Sequence, residues 1–285
     1  LVMTDSTRLL KQHSFVELGA RQRARALLDE GSMRELIDPF ARMTSPWLPK
    51  QGVVPQADDG VVIAKGSIGG KPVVVCAIEG NFQGGSMGEV GGAKMAGALE
   101  LAAEDNRKGI PTAAVLLLET GGVRLQEANL GLAAIAEIHA AIVDLRRYQP
   151  VIGVVAGSVG CFGGMSIAAG LCSYLVVTQE ARLGLNGPQV IEQEAGIEEY
   201  DSRDRPFIWS ITGGEQRFAS ALVDAYVADD IAAIQQQVED LLHKGKPAQE
   251  RSSQYALFLK RLAEVDTSIQ IDPAAVRSLY QGEQS

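Results

Sequence analysis

Three glycine pairs, each placed where an apolar run gives way to a helical pattern, constrain this chain more than any other feature. They lie in Phe82-Gln83-Gly84-Gly85-Ser86-Met87-Gly88, in Glu119-Thr120-Gly121-Gly122-Val123-Arg124-Leu125-Gln126-Glu127 and in Gly157-Ser158-Val159-Gly160-Cys161-Phe162-Gly163-Gly164-Met165. Glycine admits positive φ and lets a ligand or a second chain approach the peptide plane, and a turn that opens a helix leaves N–H groups without intrahelical acceptors. Such turns suit an anion or a developing oxyanion. One pair alone reads as a tight connection; three of them between residues 82 and 165 favour a shared chemical purpose.

The segments between the turns set the fold class. Ala113 to Leu118, Val151 to Ala156 and Tyr174 to Thr178 are continuous apolar runs, as in strands buried on both faces. Val61 to Ile68 and Lys71 to Ile78 flank Gly69-Gly70, which predicts a hairpin. Glu89 to Arg107 places Met95, Leu99 and Ala102 on one side of a helix. Leu130, Ala134, Ile138, Ala141 and Leu145 form the apolar face of another, which ends before Pro150. A short helix of small residues follows the third turn through Leu171. The repeated order of strand, glycine turn and helix predicts an α/β architecture with parallel pairing and right-handed crossovers.

At the ends the patterns are looser. Phe15 to Leu28 predicts an amphipathic helix with Arg21, Arg23 and Arg25 between its apolar positions and Gly31 closing it; Ser32 is expected to cap a short helix through Leu36. Phe40 to Pro55, broken by prolines, reads as an extended arm. Pro188 opens a helix, the charged stretch from Glu192 to Arg205 is expected to be a mobile loop, and Ser220 to Ala228 holds a last strand. Ile231 to His243, Ser252 to Val265 and Pro273 to Tyr280 read as helices. No linker divides the chain, so the expected layout is one domain, with a helix and arm over 1–55, an α/β core over 56–230 and C-terminal helices over 231–285.

Composition removes several functions. With 285 residues, 46% of them hydrophobic, there is material for one large core. A net charge of -9 and the lack of a basic run interleaved with aromatics argue against nucleic acid as principal partner; Arg21, Arg23, Arg25 and Arg146, Arg147 are the nearest things to basic patches. Cys76, Cys161 and Cys172 lie in apolar or glycine-rich segments without metal-ligand spacing, which predicts packed, reduced thiols, no structural zinc and a cytoplasmic setting. The apolar runs fall far short of the roughly 18 residues that span a bilayer. Leu1-Val2 ahead of Met3 read as residues added before the natural start, and Thr4 to Gln12 has no apolar core of signal-peptide type.

Chemistry by side chains finds little support. Gly84-Gly85-Ser86-Met87-Gly88 matches the nucleophile elbow of serine hydrolases, but the preceding strand ends near Ile78, too early for that turn. Only His139 and His243 follow Ser86, one in mid-helix and one at a helix end, and both read as structural or solvated. Neither a Walker A loop nor a Gly-x-Gly-x-x-Gly fingerprint occurs at these turns. Glu119, Arg124 and Glu127 are explained equally well as a local ion-pair set. What is left is catalysis by backbone N–H groups, suited to a thioester carbonyl that becomes an enolate, with each well-placed donor worth about 3 to 4 kcal/mol.

Taken in order, these stretches and Gly184-Leu185-Asn186-Gly187-Pro188-Gln189-Val190-Ile191-Glu192-Gln193 resemble the motifs of the acyl-CoA carboxyltransferase family over Leu28 to Ala228, nearest to its biotin-independent, malonate-decarboxylating branch. The resemblance implies a crotonase-like (ClpP/crotonase) fold, a spiral of β-β-α units, with helical N- and C-terminal segments. It also implies a cytoplasmic, heteromeric carboxy-lyase that turns a malonyl thioester into an acetyl thioester and CO2. The implied partners are a homologous gamma subunit, an acyl carrier protein subunit and an acyl-carrier transferase subunit. The substrate would ride on the carrier's phosphopantetheine-type, dephospho-CoA-derived prosthetic group, with no cofactor or metal bound by this chain.

Carried over by resemblance, Val123 and Gly164 supply the N–H pair, Gly122 and Gly163 shape the turns, and Gly85, Ser86, Arg124 and Gln126 line the substrate side. The chain departs from the family pattern in places. It lacks the four-cysteine zinc ribbon of bacterial acetyl-CoA carboxylase beta chains. Val123 stands for the usual alanine and Thr120 for serine, and Leu185-Asn186 replace an aromatic and a small residue, which speaks against biotin recognition. Two alternatives remain beside this reading: a biotin-dependent carboxyltransferase beta chain, and a non-catalytic scaffold that completes a partner's site. The resemblance also implies a site built between two crotonase-like units; one copy of the glycine-turn series is present, which leaves the other half to be supplied from elsewhere.

Overall fold

The computed structural model describes residues 12–55, 60–266, 268 and 272–281, so the expectations placed on residues 1–11 lie outside it. The strands are β1 (Arg34–Leu36), β2 (Val61–Ile68), β3 (Lys71–Ile78), β4 (Ala113–Leu117), β5 (Val151–Val155), β6 (Tyr174–Thr178) and β7 (Ala225–Val227). The helices are α1 (Ala20–Leu27), α2 (Glu89–Arg107), α3 (Asn129–Leu145), α4 (Gly164–Leu171), α5 (Pro188–Ala195), α6 (Arg205–Thr212), α7 (Gly214–Ala219), α8 (Ile231–Lys244), α9 (Tyr255–Ala263) and α10 (Pro273–Gln281).

The strands lie side by side in chain order in one sheet. β1, β2 and β3 pair antiparallel, and β3 through β7 pair parallel. Continuous apolar strands are what such a sheet needs, because successive side chains enter opposite layers. Val74, Cys76, Ile78, Leu116, Val155 and Val177 pack with Met95 and Leu99 of α2, Ile138 and Ile142 of α3 and Met165 of α4. Val73, Val75, Val115, Ile152 and Val176 pack on the other face with Leu27 of α1 and Ile234 and Val238 of α8. Cys76, Cys161 and Cys172 are free and buried, as expected, and burial pushes the Cys76 and Cys172 thiols up to about 12.

Between each parallel strand and its helix the chain makes a second, shorter set of parallel bridges: Met87 with Val123, Thr120 with Cys161, and Cys161 with Leu183. Each unit therefore contributes a long strand, a short extended segment and a helix. This explains why β3 ends so far ahead of Ser86: the glycine turn belongs to the second ladder, not to a strand-to-helix elbow.

Three expectations at the ends need correction. Gly19 is the N-cap of α1, and Phe15 to Leu18 forms a turn instead of helix. Asp229 gathers this turn, accepting from Ser14 Oγ (2.5 Å), Phe15 N (2.8 Å) and Val16 N (2.9 Å) just ahead of α8. The expected helix through Leu36 is strand β1, with Arg34 opposite Lys65 and Leu36 opposite Ile63, because the outer edge of β2 offers unpaired backbone groups. Glu192 to Ala195 is the end of α5, not loop, and the Glu192 carboxylate then accepts from Ser202 N at 2.7 Å across the connection to α6. α6 and α7 were not foreseen; β7 falls inside the stretch expected to hold it.

The Gly69-Gly70 hairpin closes with Ile68 opposite Lys71. Asp29, just past α1, grips that turn through Ser67 Oγ (2.6 Å), Gly70 N (2.9 Å) and Gly69 N (2.9 Å). The Ser67 hydroxyl, followed by Gly70 N–H, holds its carboxyl below the usual carboxylate range. A lowered carboxyl contributes stability that is complete above its ordinary value and is lost as the pH falls through the lowered one. Asp29→Asn is expected to cost about 1 kcal/mol at pH 7 after allowance for solvent screening. The gap to the native chain should narrow towards pH 3, and urea midpoints at both pH values check this: an equal gap at the two would remove Asp29 from the account.

Candidate functional site

Main-chain hydrogen bonds stack the three turns. Gly121 N donates to Gly84 O (2.9 Å), Met87 N to Gly122 O (2.7 Å) and Arg124 N to Met87 O (2.8 Å), which joins the first turn to the second. Thr120 N donates to Gly160 O (2.8 Å) and Phe162 N to Thr120 O (3.1 Å), joining the second to the third. Gly163 N then donates to Leu185 O (2.7 Å) in the fourth motif. Two positions show why glycine is required. A Cβ on Gly85, at φ +66°, would lie 2.0 Å from Glu119 O, and Gly163, at φ +61°, sets its Cα face against Gly122.

The stacking aims two donors. In the parallel bridge of Met87 with Val123 the bonds are taken by Gly122 O and Arg124 N, so the N–H of Val123 itself points away from Met87. It faces the third turn: a Cβ on Gly163 would stand 3.8 Å from Val123 N. Gly164 opens α4, a position whose N–H has no intrahelical acceptor. Among the described residues neither N–H meets an acceptor. Donors of this kind, fixed by backbone pairing and backed by a helix N-terminus, suit an oxygen that gains negative charge.

Charged side chains brace the turns. Glu119, 5% exposed, accepts from Arg23 Nη1 (2.9 Å) and from Val159 N (2.7 Å). Arg124, 3% exposed, donates to Ser86 O (2.8 Å), Ser86 Oγ (3.2 Å) and Glu127 Oε1 (3.0 Å), with its guanidinium over the Phe82 ring. Glu127 in turn accepts from Glu89 N (2.6 Å) at the start of α2. Arg124 thus holds the first turn to the second from a buried position, while Gln126 is exposed on the short 3-10 turn Leu125–Glu127. Ser86 is half-buried and Gly85 buried beside it.

Neither histidine that follows Ser86 reaches it. His139 Nε2 bonds Gly164 O at 2.8 Å, and His243 Nδ1 lies 2.9 Å from Glu239 O. Among the described residues no group of His, Cys, Asp and Glu could hold a metal, and no helix is long and apolar enough to cross a membrane. A cavity of about 340 Å³ lies beside the first turn, lined by Arg21, Arg25, Glu79, Phe82 and Lys94. One of about 760 Å³ is lined by Ser158, Glu180, Arg182, Arg205 and Trp209. Neither includes Val123 or Gly164; exposed apolar residues stand close to them in the chain, Leu125 (81%) two residues after Val123 and Ile167 (49%) three after Gly164, and Leu132 (54%) is exposed on α3.

A fold of stacked β-β-α units with paired amide donors at glycine turns is that of the crotonase-like carboxyltransferases. The chain belongs to the carboxyl transferase domain family, whose model matches residues 11–257. A malonyl-S-ACP:biotin-protein carboxyltransferase, MADC, of Malonomonas rubra is 40% identical over 245 residues, covering 82% of this chain and 77% of that protein. The crystal structure of a Pseudomonas malonate decarboxylase hetero-tetramer in complex with malonate includes a chain 72% identical, at a TM-score of 0.92, covering 97% of this chain and 100% of that one. In the Pseudomonas malonate decarboxylase MdcD-MdcE hetero-dimer the match is 63% identical at a TM-score of 0.77, over 90% and 99% of the two chains. The expected fold and family, and the malonate-decarboxylating branch within it, are borne out by these likenesses.

One brace of the site has no signal in the sequence. Arg23 stands between Arg21 and Arg25 in the chain, yet the buried face of α1 is Ala20, Arg23, Ala24 and Leu27, a spacing of three, one and three that includes it. Its partner Glu119 is distant in the chain, which no local pattern reveals. His139, expected to be structural or solvated, does bond a backbone carbonyl, although nothing in its helix announces that the partner is Gly164. Removing one member of a buried ion pair strands the other charge. Arg23→Met is expected to lower stability by about 3 to 5 kcal/mol, read from the shift of the urea unfolding midpoint; a loss below about 1 kcal/mol would show the pair to be no more than a surface-type bridge.

Proposed function

We propose that this chain carries the decarboxylation site of a malonate decarboxylase and acts on a malonyl thioester presented by an acyl carrier protein. The observation that carries the reading is the pair of acceptor-free amides, Val123 N–H and Gly164 N–H, on two turns locked together by main-chain bonds. With the thioester oxygen between these donors, the bond from the α-carbon to the carboxylate breaks and CO2 leaves. Its electron pair becomes the enolate, whose negative oxygen the two amides hold, and a proton taken up at carbon gives the acetyl thioester. Gly122 and Gly163 set the curvature of the turns. Gly85 and Ser86 form the neighbouring wall, which Arg124 holds in place, and Gln126 stands at the exposed rim.

In this reading a homologous gamma subunit covers the face that carries Leu125, Leu132 and Ile167 and completes the site, over an interface on the order of 2,000 Å² or more. The malonate decarboxylase likenesses, both solved as heteromers, support it. The carrier subunit brings the substrate on its phosphopantetheine-type arm, and an acyl-carrier transferase subunit loads it. A second reading is favoured by the M. rubra relative, a biotin-protein carboxyltransferase: the carboxyl group would pass to a biotin protein instead of leaving as CO2.

Two experiments bear on the proposal. Proline is tolerated at the first position of a helix, so Gly164→Pro removes the N–H with α4 intact. Any Cβ at residue 164 would press on Ile135 Cγ2 at 2.9 Å, and Gly164→Ala, which keeps the N–H, measures that steric part. We expect kcat of the proline variant to fall about 100- to 1,000-fold below that of the alanine variant; equal rates in matched assemblies would dismiss the donor assignment. The second experiment follows CO2 release from malonyl carrier protein without biotin, first with this chain alone and then with its partner added. Activity is expected only after mixing. Full turnover by the isolated chain would refute the shared site, and a strict need for biotin would favour the second reading.

A further inference from the structure

We propose that His139 is a positioning residue for the Gly164 donor, an inference that rests on the function proposed above. The observation is the 2.8 Å contact of His139 Nε2 with Gly164 O. A carbonyl oxygen can only accept, so the ring presents Nε2–H to it. Gly164 has no side chain by which it could be held, and its carbonyl is the one polar handle left on the residue that opens α4.

The rest of α3 makes the role specific. Gly131, Ile135 and His139 are spaced four apart and share one edge of the helix. At Gly131 a Cβ would stand 2.9 Å from Val123 Cγ2, and a Cβ on Gly164 would stand 2.9 Å from Ile135 Cγ2. One edge of α3 therefore touches both donor-bearing residues, Val123 at its N-terminal end and Gly164 further along. The apolar contacts limit how near the turns can come, Gly163 N and Arg146 hold the two ends of α4 through Leu185 O and Leu171 O, and none of these bonds engages the Gly164 peptide itself. The hydrogen bond from His139 acts on that peptide directly and ties it to the helix that also abuts Val123. Ångström-scale misplacement of a reacting group costs about 100-fold in rate, so loss of this bond should appear in kcat.

The test uses the heteromeric enzyme assembled with wild-type chain, His139→Leu, His139→Gln and Gly164→Pro, assayed for CO2 release from malonyl carrier protein. Leucine fills much of the ring's volume without a donor; the glutamine amide places an N–H near the position of Nε2. His139→Leu should lose about 10- to 100-fold in kcat with KM within about twofold. His139→Gln should recover to within about threefold of wild type, both variants having the thermal midpoint of the parent assembly. A selectively labelled sample should also show the His139 ring protonated at Nε2, assigned by the signal missing from His139→Gln. The inference falls if His139→Leu keeps wild-type kcat, if glutamine fails to restore it at equal stability, or if the loss lies in KM. An active Gly164→Pro enzyme would sink the donor reading itself, and this inference with it, whereas an inactive one beside a normal His139→Leu sinks the positioning role alone.

Discussion

Glu119 holds its carboxylate between a guanidinium from the start of the chain and a main-chain amide from the third glycine turn. The space exists because Gly80 and Gly157 carry no side chains: a Cβ at Gly157 would lie 1.7 Å from Glu119 Oε2 and one at Gly80 2.5 Å from its Cγ. A carboxylate taken this far from water is tolerable only with its partners in place. The residue immediately precedes Thr120, so satisfying the charge also fixes the height of the second turn against the third. Arg23 then uses its remaining donors on Phe15 O and Val16 O, which anchors the entry segment whose other side Asp229 holds. The first helix, the central sheet and two of the three turns thus share one buried pair.

Much of this architecture was legible because the sheet is buried on both faces. Ala113 to Leu118 and Val151 to Ala156 could be nothing but interior strands, and Gly69-Gly70 between β-branched runs left little choice of turn. The long helices α2 and α3 declared themselves by period. What failed did so for local reasons. Arg34–Leu36 is too short to carry a pattern, and its strand character comes from the edge of β2 alone. Phe15 looked helical because it is apolar and near an arginine-rich helix, yet its N–H is taken by Asp229, more than 200 residues away, which holds the segment in a turn. Of the site, the glycines were visible and the donors followed by resemblance. The burial of Arg124 was not visible, because an arginine after two glycines reads equally well as a ligand for substrate or as a brace between turns.

The turns themselves form a ladder of their own. Because each one bonds to the next through peptide groups, the geometry of the amide pair is a property of the backbone, and the side chains around it act as props: Arg124 on Ser86, Glu127 on Glu89 N, Glu119 on Val159 N. Val123 and Gly164 are themselves only half-buried, so the ladder sets the amides at the surface of this chain and not in its core.

Main-chain donors also alter what mutation can reach. A side-chain donor is lost with a single codon change, whereas an amide at residue 123 survives every replacement except proline. The vulnerable positions are the spacers, Gly85 and Gly163, at which a single added methyl group or the loss of positive φ would move the ladder. A replacement at either spacer would therefore displace amides that belong to its neighbours, so a substitution can reach the main-chain donors without falling on the residues that bear them.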